Sequence, residues 1–143
     1  KQNFVEHRIR KNICSLINTE GGKLFIGAND DGELIGLDRD CERARYALKY
    51  MKKFLSKMNQ KWTNKILGES GFEDFQTYIK QTAIPIASSK KWIYLIEVDY
   101  VPDPLAYLME EGGEKFYVRD GDGTRGLNFE AFKKWKRHRV DFH

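Results

Sequence analysis

The sequence is short of cysteine, proline and long apolar runs. It has two cysteines, three histidines and three prolines in 143 residues. Cys14 and Cys41 form no CxxC pair, so neither a disulfide framework nor a cysteine-based zinc site is expected. A reducing, intracellular setting, most simply the cytoplasm, is the expectation. Cys14 falls at an apolar phase of a helical pattern and is expected to be a buried thiol. No apolar stretch approaches the roughly 20 residues of a membrane helix. The opening Lys1-Gln2-Asn3-Phe4-Val5-Glu6 lacks an initiator Met and the apolar core of a signal peptide, and reads as the interior of a longer protein. Acidic residues are missing altogether from 43–68, where eight lysines and arginines stand.

What is present is globular: 41% hydrophobic, 13% aromatic and 32% charged residues, enough for one domain with a packed core over 1–143. The net charge is only +4, but it is segregated. Besides 43–68, a second basic cluster comprises Lys133, Lys134, Lys136, Arg137 and Arg139, while carboxylates gather at 30–40, 69–74, 97–103 and 110–122. Such segregation points to polyanions, because Lys and Arg neutralise phosphates and release their counterions.

Val5, Ile9, Ile13, Leu16 and Ile17 recur at helical spacing and predict a helix over 4–18, with Arg8, Arg10 and Lys11 on its polar side. Gly21-Gly22 ends it. Residues 23–28 and 33–37 read as strands joined by an Asp31-Gly32 turn. A second helix over 43–58 has a core stripe of Ala44, Ala47, Leu48, Met51, Leu55 and Met58. Arg45, Lys49, Lys52, Lys53 and Lys57 cover its other side, with Lys61 just beyond. That side is either a solvated face or a polyanion footprint, and the lack of any balancing Glu favours the footprint. One or two strands are expected in 72–86 and a clear one over 91–100, with both faces covered near its start. Residues 115–119 give another strand, ending in an Asp-Gly-Asp-Gly loop. Asn128 can cap a last helix with Phe129, Phe132 and Trp135 on its apolar face. The expected fold class is α+β: a mainly antiparallel sheet with helices packed against it, largely on one side.

The run Ile13-Cys14-Ser15-Leu16-Ile17-Asn18-Thr19-Glu20-Gly21-Gly22-Lys23-Leu24-Phe25-Ile26-Gly27 resembles the signature of the Schlafen family, in which an apolar helix ends in Asn-Thr-x-Gly-Gly before a strand. Asp30-Asp31-Gly32-Glu33-Leu34-Ile35-Gly36-Leu37 continues the likeness. Pro104-Leu105-Ala106-Tyr107 and the Phe116–Arg125 run resemble the family's closing strand and Arg-bearing loop. The likeness runs through most of the chain in order, as an AlbA_2-type module similar to the shorter Schlafen-like proteins. On the residues alone, Asn18 and the glycines need do no more than turn the chain from helix to strand.

The resemblance implies an RNA-binding domain taking part in metal-dependent endonucleolytic processing, of tRNA or small-RNA precursors. It also implies a second Schlafen-like domain or subunit beside this one. Family members hold Mg²⁺ or Mn²⁺ through three acids. Asp30 matches the third, and Glu6 is the candidate for one of the early pair. Read by itself, Asp30 is equally a turn aspartate. Five residues before Glu6 stands Lys1 where the pattern has an acid. Either a loop after Glu6 is missing, or the acids lie upstream of Lys1, or the site is degenerate. RNA contacts are expected from Arg8, Arg10, Lys11, Arg45, Lys49, Lys52, Lys53, Lys57, Lys61, Arg119 and Arg125. Two rivals remain: a non-catalytic subunit that supports a catalytic partner, and a scaffold domain in which Trp62, Trp92 and Trp135 serve packing or a protein interface.

Overall fold

Helix α1, Gln2–Asn18, starts two residues earlier than its apolar spacing predicts and ends at the predicted residue. A computed structural model describes residues 2–26, 63–68, 75–85, 92–121 and 123–141. Ile9, Ile13, Leu16 and Ile17 are buried as expected, and Cys14 is fully buried. The burial does not stop at a stripe, because every residue from Ile13 to Asn18 is buried. A helix covered all round lies between layers, and α1 packs against strands of two separate sheets.

The first sheet holds β1 (Gly22–Ile26), β3 (Ile79–Pro85) and β4 (Trp92–Val98) in the order β1-β4-β3, all antiparallel. Leu95 and Ile96 are both buried, so both faces of β4 are covered, as its unbroken apolar run predicts. Among the described residues β1 pairs with β4, from Gly22↔Val98 to Ile26↔Tyr94. The predicted hairpin partner at 33–37 and the predicted helix at 43–58 lie outside the described residues.

The second sheet has the order β2-β5-β6-β7, formed by β2 (Ile66–Leu67), β5 (Tyr107–Glu110), β6 (Gly113–Asp120) and β7 (Gly123–Leu127). The 115–119 prediction falls inside β6. β7 falls where the sequence shows a Gly-rich, Arg-bearing loop, because Gly-Thr-Arg-Gly-Leu has little β propensity of its own; pairing with β6 makes it a strand. A last helix, α2 (Phe129–Asp141), begins where predicted. The Ala131 N–H donates to Asn128 Oδ1 at 2.8 Å, which is the predicted cap.

One arrangement differs from expectation: the helices do not share a side. Tyr117 joins the core formed with α1, whereas Phe116 and Val118 join Phe132 of α2. Neighbouring residues of a strand point to opposite faces, so α1 and α2 cover opposite faces of β6. The physical cause is the unbroken run Phe116-Tyr117-Val118, which leaves both faces apolar and in need of cover.

Where α1 turns into β1 only glycine fits. The Gly21 N–H donates to the Leu16 carbonyl at 2.9 Å. Gly21 has φ +77°, and a Cβ there would stand 2.3 Å from the Val98 carbonyl oxygen. The Gly-Gly element of the sequence thus brings the helix end and β4 into direct backbone contact.

Candidate nucleic-acid interface

Helix α1 lies along β6, and helical spacing decides which side chains meet the strand. His7 and Lys11, like Arg8 and Asn12, stand about one helical turn apart, so the two pairs form neighbouring rows on α1. Tyr117 and Arg119, two apart on β6, share the strand face beneath them. Asn12 joins the two elements. Its Nδ2 donates to the Arg8 carbonyl at 2.8 Å, and its Oδ1 accepts from Arg119 Nη1 at 3.2 Å. The Arg119 backbone is held as well, its N–H donating to Thr19 Oγ1 at 3.0 Å. Lys11 Nζ sits 5.6 Å from the centroid of the Tyr117 ring, a cation–π distance. Arg8 is exposed on the same rim.

The tyrosine is fixed in turn. Its hydroxyl donates to Glu110 Oε2 at 2.6 Å, and His7 Nε2 approaches the same oxygen at 3.4 Å. Burial, reinforced by the hydrogen bond to Glu110, pushes the Tyr117 phenol well above its ordinary value. It stays protonated and serves as a donor. Cys14, beneath, is pushed up to about 12 by burial, partly offset by a hydrogen bond with the Tyr117 backbone. A thiol in that state is no nucleophile, which matches the expectation of a buried, inert cysteine.

Asn18 is the residue whose role the sequence concealed. It is buried, and its amide lies between β6 and the segment leading into β5. Nδ2 donates to the Ala106 carbonyl at 2.7 Å and to the Tyr117 carbonyl at 2.9 Å, and Oδ1 accepts from the Ala106 N–H at 2.9 Å. The β5–β6 ladder runs from Glu110↔Gly113 to Leu108↔Lys115. Two positions further along that register, Ala106 and Tyr117 are bridged by the side chain instead. Thr19, one residue on, holds Arg119. The Asn-Thr pair thus sets the backbone on which Tyr117 and Arg119 stand.

Of the predicted RNA-contacting residues, the structure brings Arg8, Lys11 and Arg119 together. Arg10 is corrected: only 8% exposed, it belongs to the interior rather than to the polar side. An amphipathic reading allows α1 one wet face, and packing between two sheets removes most of it. Arg125 lies apart, on the strand face shared with Val118, 3.5 Å from Asp120. Both side chains of that pair are more than half exposed, so it is weak. Arg45, Lys49, Lys52, Lys53, Lys57, Lys61 and Asp30 lie outside the described residues. Glu6 lies in the backbone of α1, and its carboxylate is outside the described atoms.

A hard divalent cation needs several converging oxygen ligands. Among the described side chains, Glu110 is the carboxylate set beside this part of α1, and it is engaged by Tyr117 and His7. Among the described residues no group of three or more His, Cys, Asp or Glu comes together. These residues alone therefore do not fit such an ion. No helix among the described residues is long and apolar enough to cross a membrane.

Sequence reasoning missed His7, Asn12, Asn18 and Thr19 as parts of this site. Only the Asn-Thr pair left a signal, as the polar end of an otherwise apolar helix. Compared with family models, residues 1–128 match the one described as Schlafen, AlbA_2.

Proposed function

The chain belongs to the Schlafen, AlbA_2 family, and from that premise we propose that it is an RNA-binding domain taking part in metal-dependent endonucleolytic processing. Its substrates would be tRNA or small-RNA precursors, and it would act as one lobe or subunit of a larger nuclease. Membership supports the coarser part, a nucleic-acid-binding and nuclease family. The observation that carries the RNA-binding reading is the rim of Arg8, Lys11 and Arg119. Asn12 and Thr19 hold Arg119 in place before any ligand arrives, so little side-chain entropy is lost on contact. Guanidinium and ammonium groups on one rim suit phosphate oxygens.

The catalytic part rests on Asp30 and Glu6, with Mg²⁺ or Mn²⁺ as the ion. Such an ion, when bound, supplies charge neutralisation at the scissile phosphate and an activated water. Lys1, standing where the family pattern has an acid, favours a second reading in which this chain holds RNA while a partner Schlafen-like domain cuts.

The test is RNA affinity of the natural protein across a salt series. Lys11→Gln together with Arg119→Gln is expected to weaken binding about tenfold and to lower the salt slope by roughly 1.4, at about 0.7 per phosphate contact on a single strand. Unchanged affinity and slope would remove the rim from the interface. The basic stretch predicted as a helix gives a larger response: Lys49→Glu, Lys52→Glu and Lys53→Glu combined should cut affinity about a hundredfold or more and lower the slope by roughly 2. These lysines avoid the apolar stripe, so circular dichroism should report an intact fold. A triple variant that is folded and binds every tested RNA like the parent excludes this stretch as a footprint.

A further inference from the structure

Helix α2 begins where the family match ends, since the match runs to residue 128 and the helix spans Phe129–Asp141. Its inner face is spent on packing: Phe132 is fully buried and stacks on Phe116 at 4.8 Å, with Trp135 stacked 6.0 Å beyond. The rest of the helix carries Lys133, Lys134, Lys136, Arg137 and Arg139. Three of these are engaged. Lys133 pairs with Glu130 at 3.1 Å, Lys136 with Asp103 at 2.6 Å and Arg139 with Glu20 at 2.7 Å. Their charged groups also lie over the rings of Phe129, Phe132 and Trp135 respectively.

Lys134 and Arg137 differ. Both are exposed, and neither has an ion pair among the described residues. They stand one helical turn apart on one face, with Cβ atoms about 5–6 Å from each other, which suits two phosphates of one strand. Glu130, the acid in the first turn of the helix, is taken by Lys133. Among the described residues the face therefore keeps a local excess of positive charge.

We infer that the Lys134–Arg137 face of α2 is a second phosphate-binding surface for the RNA backbone, across the four-stranded sheet from the Arg8–Lys11–Arg119 rim. The inference rests on the RNA-binding reading above and extends it to a helix beyond the family match. The β6–β7 hairpin supplies the link between the two surfaces. Arg119 pairs in register with Thr124 and Val118 with Arg125, so adjacent rungs present Arg119 to the α1 face and Arg125 to the α2 face. Among the described residues β7 is the last strand in the sheet order. A single RNA strand crossing the β7 edge meets cations on both sides. Lysine and arginine facing phosphates carry no base information, so this surface adds affinity and orientation rather than sequence choice.

The experiment uses the full-length natural protein and a labelled single-stranded polyuridine oligonucleotide, titrated over a salt series. Lys134→Gln with Arg137→Gln should bind about tenfold more weakly, with a slope lower by roughly 1.4, and should unfold at the parent temperature because both side chains are exposed. Parental affinity and slope in this variant, alongside a loss in Lys11→Gln/Arg119→Gln, would overturn the α2 surface and leave the proposed function standing. Parental behaviour in both variants would overturn both. Weaker binding with an unchanged slope would also overturn it, because the loss would not be one of phosphate contacts.

Discussion

Asn18→Ala is expected to lower the stability of the protein by about 3 kcal/mol. The amide satisfies the Ala106 N–H and the carbonyls of Ala106 and Tyr117, all within the core. Removing it leaves these backbone groups without that partner in a place closed to water, at roughly 1–3 kcal/mol for each group left unsatisfied. Asn18→Asp is no rescue, since a carboxylate keeps the acceptor for Ala106 N–H but sets negative charge against two carbonyl oxygens. Denaturant unfolding measures the effect, with Asn12→Ala as the comparison: Asn12 lies on the partly buried rim, and its loss should cost under about 1 kcal/mol. A loss at Asn18 no larger than at Asn12 would mean that the bridge between Ala106 and Tyr117 contributes little. RNA affinity should fall with stability, because Tyr117 and Arg119 stand on the strand that Asn18 holds.

Asp30→Asn is expected to leave RNA affinity within about twofold and to reduce cleavage by the assembled nuclease about a hundred- to thousandfold, equivalent to roughly 3–4 kcal/mol of transition-state stabilisation. The substitution keeps size and turn preference but removes the charge that a hard cation requires. Raising Mg²⁺ or Mn²⁺ should not restore the rate. Full cleavage by an Asp30→Asn assembly would place the metal site in another chain and leave this domain as the RNA-holding lobe, the reading that Lys1 favours. Binding and cleavage must be measured on the same preparation, because a loss of both would indicate misfolding rather than a missing ligand.

The sequence by itself determined the elements with strong local patterns and the family. The spacing of Ile9, Ile13, Leu16 and Ile17 determines α1, and an apolar run bounded by lysine and proline determines β4. Asn128 sets the start of α2, and Gly21-Gly22 marks the end of α1. These are near-neighbour effects, readable within one turn of helix or one strand. Segregated charge pointed to polyanions, and the ordered motifs from Asn18-Thr19 to Arg125 made the family legible.

Tertiary structure decided the rest. It turned Arg10 inward and put α1 and α2 on opposite faces of β6. It made a strand of Gly-Thr-Arg-Gly-Leu and joined Asn12 to Arg119. It also gave Asn18 partners 88 and 99 residues away. The reason is the same in each case. A hydrogen bond or a covered face between distant segments depends on which surfaces meet, and hydrophobic periodicity records only that a face is to be covered, not by what.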